Sequence, residues 1–285
     1  MIRDALERVL VDLPLGPLRY FDQIDSTNAE ALRWALEGAQ HLSLVVADEQ
    51  TAGRGRMGRR WFTPPGSALA FSLVLRPELL HSPIAPPTRL TALGALAVCS
   101  ALRSRYRFEA QIKWPNDVLA GGRKLAGVLV EADWLGDQIQ AAVLGIGINV
   151  ARDSVPPAEA LLFPATCVEA AVGEQSADDK GIDRWTLLRS VLEAFLDWLP
   201  GLNSPEFLSA WESRLAYRGK RVRIVQEGTP AIEGQLLGLA EDGTLRLGLP
   251  SGGEIAVQAG DLHLRPRSPA EPGRSPAEAQ RSDRR

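Results

Sequence analysis

Four arginines and three glycines fall within the eleven residues Thr51-Ala52-Gly53-Arg54-Gly55-Arg56-Met57-Gly58-Arg59-Arg60-Trp61, with no acid among them. Glycine lets a backbone approach a ligand closely and bare its N–H groups. Arginine adds a rigid fork of donors matched to carboxylate or phosphate. Such a segment suits a small site where two anions must meet, and its glycine content predicts a flap that orders on ligand binding. A solvated basic loop, or a nucleic-acid contact, would have the same local composition. The segment does not match the phosphate-cradling Gly-x-x-x-x-Gly-Lys-[Ser/Thr] pattern.

Lys113-Trp114-Pro115-Asn116-Asp117 ends a strand and sets polar groups at its tip. Gly122-Arg123-Lys124-Leu125-Ala126-Gly127 follows, so Lys124 stands just before an apolar strand that could fix its ammonium at an edge. An ordinary turn with exposed lysines is the plain alternative. In Gly145-Ile146-Gly147-Ile148-Asn149-Val150 the glycines clear one face of a strand for another backbone or a flat ligand, or for tight core packing. Ser26-Thr27-Asn28 reads both as a helix cap and as hydrogen-bonding groups for a small polar ligand, together with Asp48-Glu49-Gln50. No Gly-x-Ser-x-Gly elbow, Cys-His pair or spaced carboxylate pair stands out. Positioning and charge neutralisation therefore fit better than covalent catalysis.

These residues need elements to hold them. A short helix is expected over Met1–Leu10, a strand over Tyr20–Ile24, a capped helix over Ala29–Leu36 and a strand over Leu42–Ala47. Ser67–Leu75 reads as a buried strand and the alanine-rich Thr88–Arg103 as a core helix. Ala110–Trp114 is a strand, followed by a turn through Asn116, Asp117, Gly121 and Gly122. Leu125–Ala132 and Gln138–Val150 read as antiparallel strands joined near Gly136-Asp137. Val155–Ala170 supplies loop and helix, Asp183–Leu199 is helical with one broad apolar face, and Phe207–Leu215 continues in helix.

After Tyr217 the texture changes. Arg221–Val225, Ala231–Ala240, Thr244–Leu249 and Glu254–Gln258 are short strands between Glu-Gly, Asp-Gly and Gly-Gly turns. They predict a small β-barrel of SH3-like size. Three regions follow: a larger domain over 1–214, a small β domain over 215–266, and a disordered tail over 267–285 rich in Pro, Ser, Ala, Glu and Arg.

The net charge of −3 argues against a general nucleic-acid binder. Two cysteines, Cys99 and Cys167, lie among apolar or small neighbours and read as buried thiols. The three histidines, His41, His81 and His263, have no ligand or triad spacing, so no metal-binding residues are assigned. Met1–Arg8 is a charged amphipathic start rather than a signal peptide, and no apolar run spans a membrane. The expected compartment is the cytoplasm.

Taken together and in this order, the motifs resemble the biotin–protein ligase family, from about Tyr20 to Pro266. The resemblance implies an α/β (α+β) catalytic domain related to class II aminoacyl-tRNA synthetases and lipoate ligases, plus an SH3-like C-terminal domain. It implies activation of biotin by ATP and Mg²⁺ to biotinyl-5'-AMP. The biotinyl group then passes to a lysine of the biotin carboxyl carrier domain of a biotin-dependent carboxylase. Ser26, Thr27 and Gln50 would bond the ureido ring, with Asn28 beside them. Arg54, Gly55 and Arg56 would order over the biotin tail and adenylate, and Lys124 would contact carboxylate and α-phosphate oxygens. Arg56 and Lys124 are the catalytic candidates. Arg59, Trp61, Asn116 and Asn149, with Arg56 and Lys124, would bind the nucleotide. Some family members carry an N-terminal DNA reader. Fewer than about 20 residues precede the matching region, too few for three helices, so DNA repression is not expected. A lipoate–protein ligase of related fold is the nearest rival. A nucleic-acid-binding regulator is a rival of another class.

Overall fold

The computed structural model describes residues 2–76, 87–135, 138–173, 182–226, 230–257 and 262–266. The larger unit is a seven-stranded sheet in the order β1-β2-β3-β7-β6-β5-β4. Its strands are β1 (Leu18–Ile24), β2 (Leu44–Gln50), β3 (Ala68–Leu75), β4 (Gln111–Lys113), β5 (Asp117–Ala120), β6 (Arg123–Leu135) and β7 (Gln138–Asn149). β1 and β2 run parallel, and every other neighbouring pair is antiparallel.

The two faces of this sheet have different tasks, and strand parity sorts the residues between them. Leu69, Phe71, Leu73 and Leu75 of β3, with Leu144, Ile146 and Ile148 of β7, enter the main core. Helices α3 (Pro87–Tyr106) and α5 (Arg184–Trp198) join that core through Leu93, Leu96, Leu188, Leu192 and Phe195. Each such side chain, taken fully out of water, contributes roughly 1.5–3 kcal/mol. The alternate residues face helix α2 (Thr27–Leu36), whose Ala31 and Ala35 pack on Val45, Val74 and Val143. Opposed residues of paired strands share a face, so Ala70, Gly147 and Gly127 form one row there. Ser72, Gly145 and Leu129 form the next. The glycines of β7 therefore open the α2 face while its isoleucines fill the core.

Most expected elements appear, helix α1 (Ile2–Leu10) included. The turn expected from Asn116 to Gly122 is a correction. Asp117–Ala120 forms strand β5, paired with β4 and β6, and Gly121 and Gly122 alone make a left-handed turn. Val118, Leu119 and Ala120 are buried, and that burial outweighs the local turn signals. The 155–170 region gives one short 3₁₀ turn, Ala158–Ala160, before helix α4 (Val168–Val172). Helix α6 (Pro205–Ser213) starts on the Ser204 cap. The junction near Gly136-Asp137 lies outside the described residues.

The C-terminal sheet has five antiparallel strands in the order β11-β10-β9-β8-β12. They are β8 (Arg221–Gln226), β9 (Ile232–Leu239), β10 (Leu245–Gly248), β11 (Glu254–Val257) and β12 (Leu262–Pro266). Strand β12 was not expected from the sequence. The tail over 267–285 lies outside the described residues. The small sheet meets the larger unit where Trp114 Nε1 donates to Gly243 O at 3.1 Å, and where Arg89 of α3, which also donates to Leu202 O, donates to Glu241 O. Both Trp114 and Arg89 are buried.

Candidate active site

The α2 face of the sheet carries the site. The end of β2, the N-terminus of α2 and the glycine rows of β6 and β7 enclose a cavity of about 130 Å³. Ser26, Thr27, Asn28, Gln50, Arg54, Gly55, Arg56, Arg59, Trp61, Asn116 and Lys124 all line it. Asn149 does not: it is buried at 4% exposure, donates to Thr166 O at 3.0 Å and lines an adjoining cleft.

The floor is polar and closely bonded. Ser26 accepts from Ala29 N as the cap of α2 and also lines the cavity. Gln50 Oε1 accepts from the Thr27 backbone N at 2.8 Å and from Thr27 Oγ1 at 3.1 Å. Ser72 Oγ lies 2.8 Å from Thr27 Oγ1 and 2.6 Å from Asn28 Oδ1. Two hydroxyl protons, those of Thr27 and Ser72, thus serve three oxygen–oxygen contacts. One of the three contacts therefore lacks a proton of its own, and the floor offers acceptor oxygens suited to a ligand that brings N–H groups. Asn28 is committed elsewhere, because its Nδ2 donates to Leu129 O and Glu131 Oε2. It fits only because β7 has glycine there. A Cβ on Gly145 would lie 1.9 Å from Asn28 Oδ1.

The arginine–glycine segment folds as a flap over this floor. Gly55 N donates to Arg59 O, Trp61 N donates to Gly53 O, and Met57 and Gly58 turn the tip with positive φ. Arg54 pairs with Glu131 at 3.0 Å, and Arg56 Nη1 donates to Asn116 Oδ1 at 3.3 Å. At the flap's root the Trp61 indole lies along the second glycine row. Cβ atoms on Gly147 and Gly127 would stand 2.3 Å and 3.2 Å from its ring. Its Nε1 is buried without a hydrogen-bond partner, a donor left for a ligand oxygen.

Lys124 completes the cationic wall. Its Nζ lies 2.6 Å from Asp117 Oδ1 and 5.5 Å from the Trp61 ring centroid. Lys113 Nζ reaches Asp117 Oδ2 at 3.5 Å and stands over the Phe163 ring. Burial pushes the Asp117 carboxyl up, but the charges and hydrogen bonds of Lys124 and Lys113 together hold it below the usual carboxylate range. The carboxylate stays ionised, and both ammonium groups are held beside it. The backbone of Lys124 pairs with the 164–166 segment, accepting from Thr166 N and donating to Pro164 O. That pairing sets Leu161, Leu162 and Phe163 along the adjoining cleft of about 840 Å³. Arg59, Arg60, Trp61, Lys113, Asp117 and Lys124 line both cavities.

Ser72, Glu131 and Asp117 had no role assigned from the sequence. Ser72 is a lone hydroxyl in an apolar, fully buried run, and Glu131 is the acid that breaks the run Leu125–Val130 on β6. Those interruptions are the signals that could have found them. Asp117 has a lysine four residues before it and another seven after it.

Fold and site together fit the class of proteins that take two ligands side by side, here in two adjoining cavities that share a cationic wall. Residues 20–149 match the Biotin/lipoate A/B protein ligase family. The chain is 37% identical over 240 residues to the biotin–[acetyl-CoA-carboxylase] ligase of Paracoccus denitrificans, covering 82% of this chain and 95% of that protein. It is 36% identical over 235 residues to the bifunctional ligase/repressor BirA of Bacillus spizizenii, covering 81% and 69% respectively. A solved biotin protein ligase from Aquifex aeolicus, in complex with biotin and ATP, matches with a TM-score of 0.72 at 30% identity, over 88% of this chain and 99% of that one. The chain belongs to the biotin/lipoate A/B protein ligase family, among its biotin–protein ligases.

Proposed function

We propose that this chain activates biotin with ATP to biotinyl-5'-AMP and then biotinylates one lysine of a biotin carboxyl carrier domain. The observation that carries the reading is the wall shared by the two cavities, with Lys124, Lys113, Arg59 and Trp61 on both sides. The first cavity takes biotin. Its floor offers acceptor oxygens, and the ureido ring supplies two N–H groups to Thr27, Ser26 and Gln50 while Asn28 braces them. The second takes the nucleotide, and its volume lies in the range of small-molecule sites, about 300–1,000 Å³. Asn149 and Phe163 border it, whereas Asn116 approaches from the biotin side through Arg56.

The chemistry follows from charge. A biotin carboxylate oxygen attacks the α-phosphorus and pyrophosphate leaves. Both reactants are anions, so Lys124 and Arg56 must offset their repulsion and the charge that develops between them. Arg54 and Gly55 close over the product, a mixed anhydride that water would destroy. The carrier lysine then attacks the acyl carbon, AMP leaves, and an amide forms with loss of a proton. Mg²⁺ enters as part of the substrate MgATP. Both Asp117 oxygens face lysines, and among the described residues no three His, Cys, Asp or Glu groups converge. Residues 1–214 are assigned to catalysis and 215–266 to a supporting domain. The compartment assigned within this proposal is the cytoplasm, where ATP is at hand. Among the described residues no helix is long and apolar enough to cross a membrane.

Mass spectrometry of a carrier domain incubated with the chain, ATP, Mg²⁺ and either biotin or lipoate tests this. One biotinyl group on one lysine is expected. Lipoylation without biotinylation would reject it in favour of a lipoate ligase.

A further inference from the structure

A run of hydrogen bonds passes beneath the first cavity and reaches the flap's root at one end and its interior at the other. At the root, Gln50 Nε2 donates to Thr63 Oγ1 at 3.0 Å. Gln50 accepts from Thr27, and Thr27 and Asn28 share Ser72. Asn28 Nδ2 then donates to Glu131 Oε2 at 2.9 Å. The other oxygen of that carboxylate, Oε1, receives Arg54 Nη1 at 3.0 Å, inside the flap itself. Glu131 is therefore held from the floor by a neutral amide and from above by a guanidinium.

The geometry points to Glu131 as a positioning residue that ties closure of the flap to the integrity of the pocket floor. It does not line the cavity and acts through Arg54 and Asn28. Its effect on retention of the adenylate rests on the biotin-and-ATP reading, but the latch itself does not. An Arg–carboxylate pair exposed at 48% and 26% is weak as a source of stability, and that suits a contact made and broken each cycle. The Asn28 end is different. That amide is 5% exposed, so losing its acceptor leaves a buried N–H unmet. A carboxylate can accept from both partners at once. A glutamine of the same shape can accept from Asn28 or from Arg54, but turns an N–H at the other.

Glu131→Gln tests the latch in two ways. Ligand-free protein is digested with trypsin, timing cleavage after Arg56 and Arg59, and release of biotinyl-AMP is timed separately. Both rates are expected to rise about three- to tenfold. The rate of adenylate formation at saturating substrates is expected to stay within about twofold. Arg54→Ala should show the same faster tryptic cleavage, and combining the two should add nothing further to that cleavage rate. Equal cleavage in wild type and variant would overturn the latch. Faster cleavage with unchanged release would overturn its link to retention. Absence of biotinyl-AMP from the wild type would instead defeat the functional reading, while the cleavage comparison would still decide the latch.

Discussion

Lys124 and Lys113 each face one oxygen of Asp117, so two positive charges share a single negative one. The arrangement holds both ammonium groups in place while leaving net positive charge on the wall for an incoming phosphate. Arg56, held toward the same corner by Asn116, adds a second kind of donor. Removing one donor aimed at developing charge costs about 2.7–4 kcal/mol in the barrier, or about 10²–10³-fold in rate. Lys124→Ala and Arg56→Ala are each expected to slow biotin-dependent ATP–pyrophosphate exchange by that order, with the fold intact by circular dichroism. Lys124→Arg should recover little, because a planar fork does not replace a compact ammonium beside Asp117. Wild-type exchange in either alanine variant would remove that residue from the reaction.

β7 shows how an element divides its work. Ile146 and Ile148 anchor it in the main core, while Gly145 and Gly147 admit Asn28 and Trp61 on the other face. Gly147→Ala would place a methyl group 2.3 Å from the Trp61 indole and displace it, without touching the isoleucine face. The expected outcome is a KM for ATP raised at least about fivefold, with the melting temperature lowered by only a few degrees. An unchanged KM would deny Trp61 its place in the nucleotide site. The alternation of Gly and Ile was legible as a cleared strand face. What fills that face was not, because Trp61 arrives from a flap whose course depends on left-handed residues at Met57 and Gly58. Likewise the 116–122 segment read as one turn. Its Asn, Asp and Gly signals mask a four-residue strand, apolar from Val118 to Ala120, that only pairing with β4 and β6 makes worthwhile.

At the scale of the whole molecule, Trp114 joins the two sheets at the strand that carries the wall. It lies between Lys113 and Pro115, and its indole reaches the β9–β10 turn at Gly243. The small domain therefore braces the tip of the site. Its first four strands were legible because glycine turns punctuate alternating runs. Strand β12 was not: it is a five-residue run that ends at Pro266 and exists by pairing with β8. In the site, the charged flap and Lys124 could be read from residue type. The floor's set of acceptor oxygens and the role of Glu131 could not, since both arise from side chains brought together by sheet register. All of this converges on one reaction, two anions joined at a shared cationic wall. The most direct measurement is chromatographic detection of biotinyl-AMP after the purified chain meets biotin, ATP and Mg²⁺ without any carrier. The account predicts an enzyme-bound adenylate, formed with biotin and not with lipoate. Folded protein that binds both substrates and forms none would contradict it.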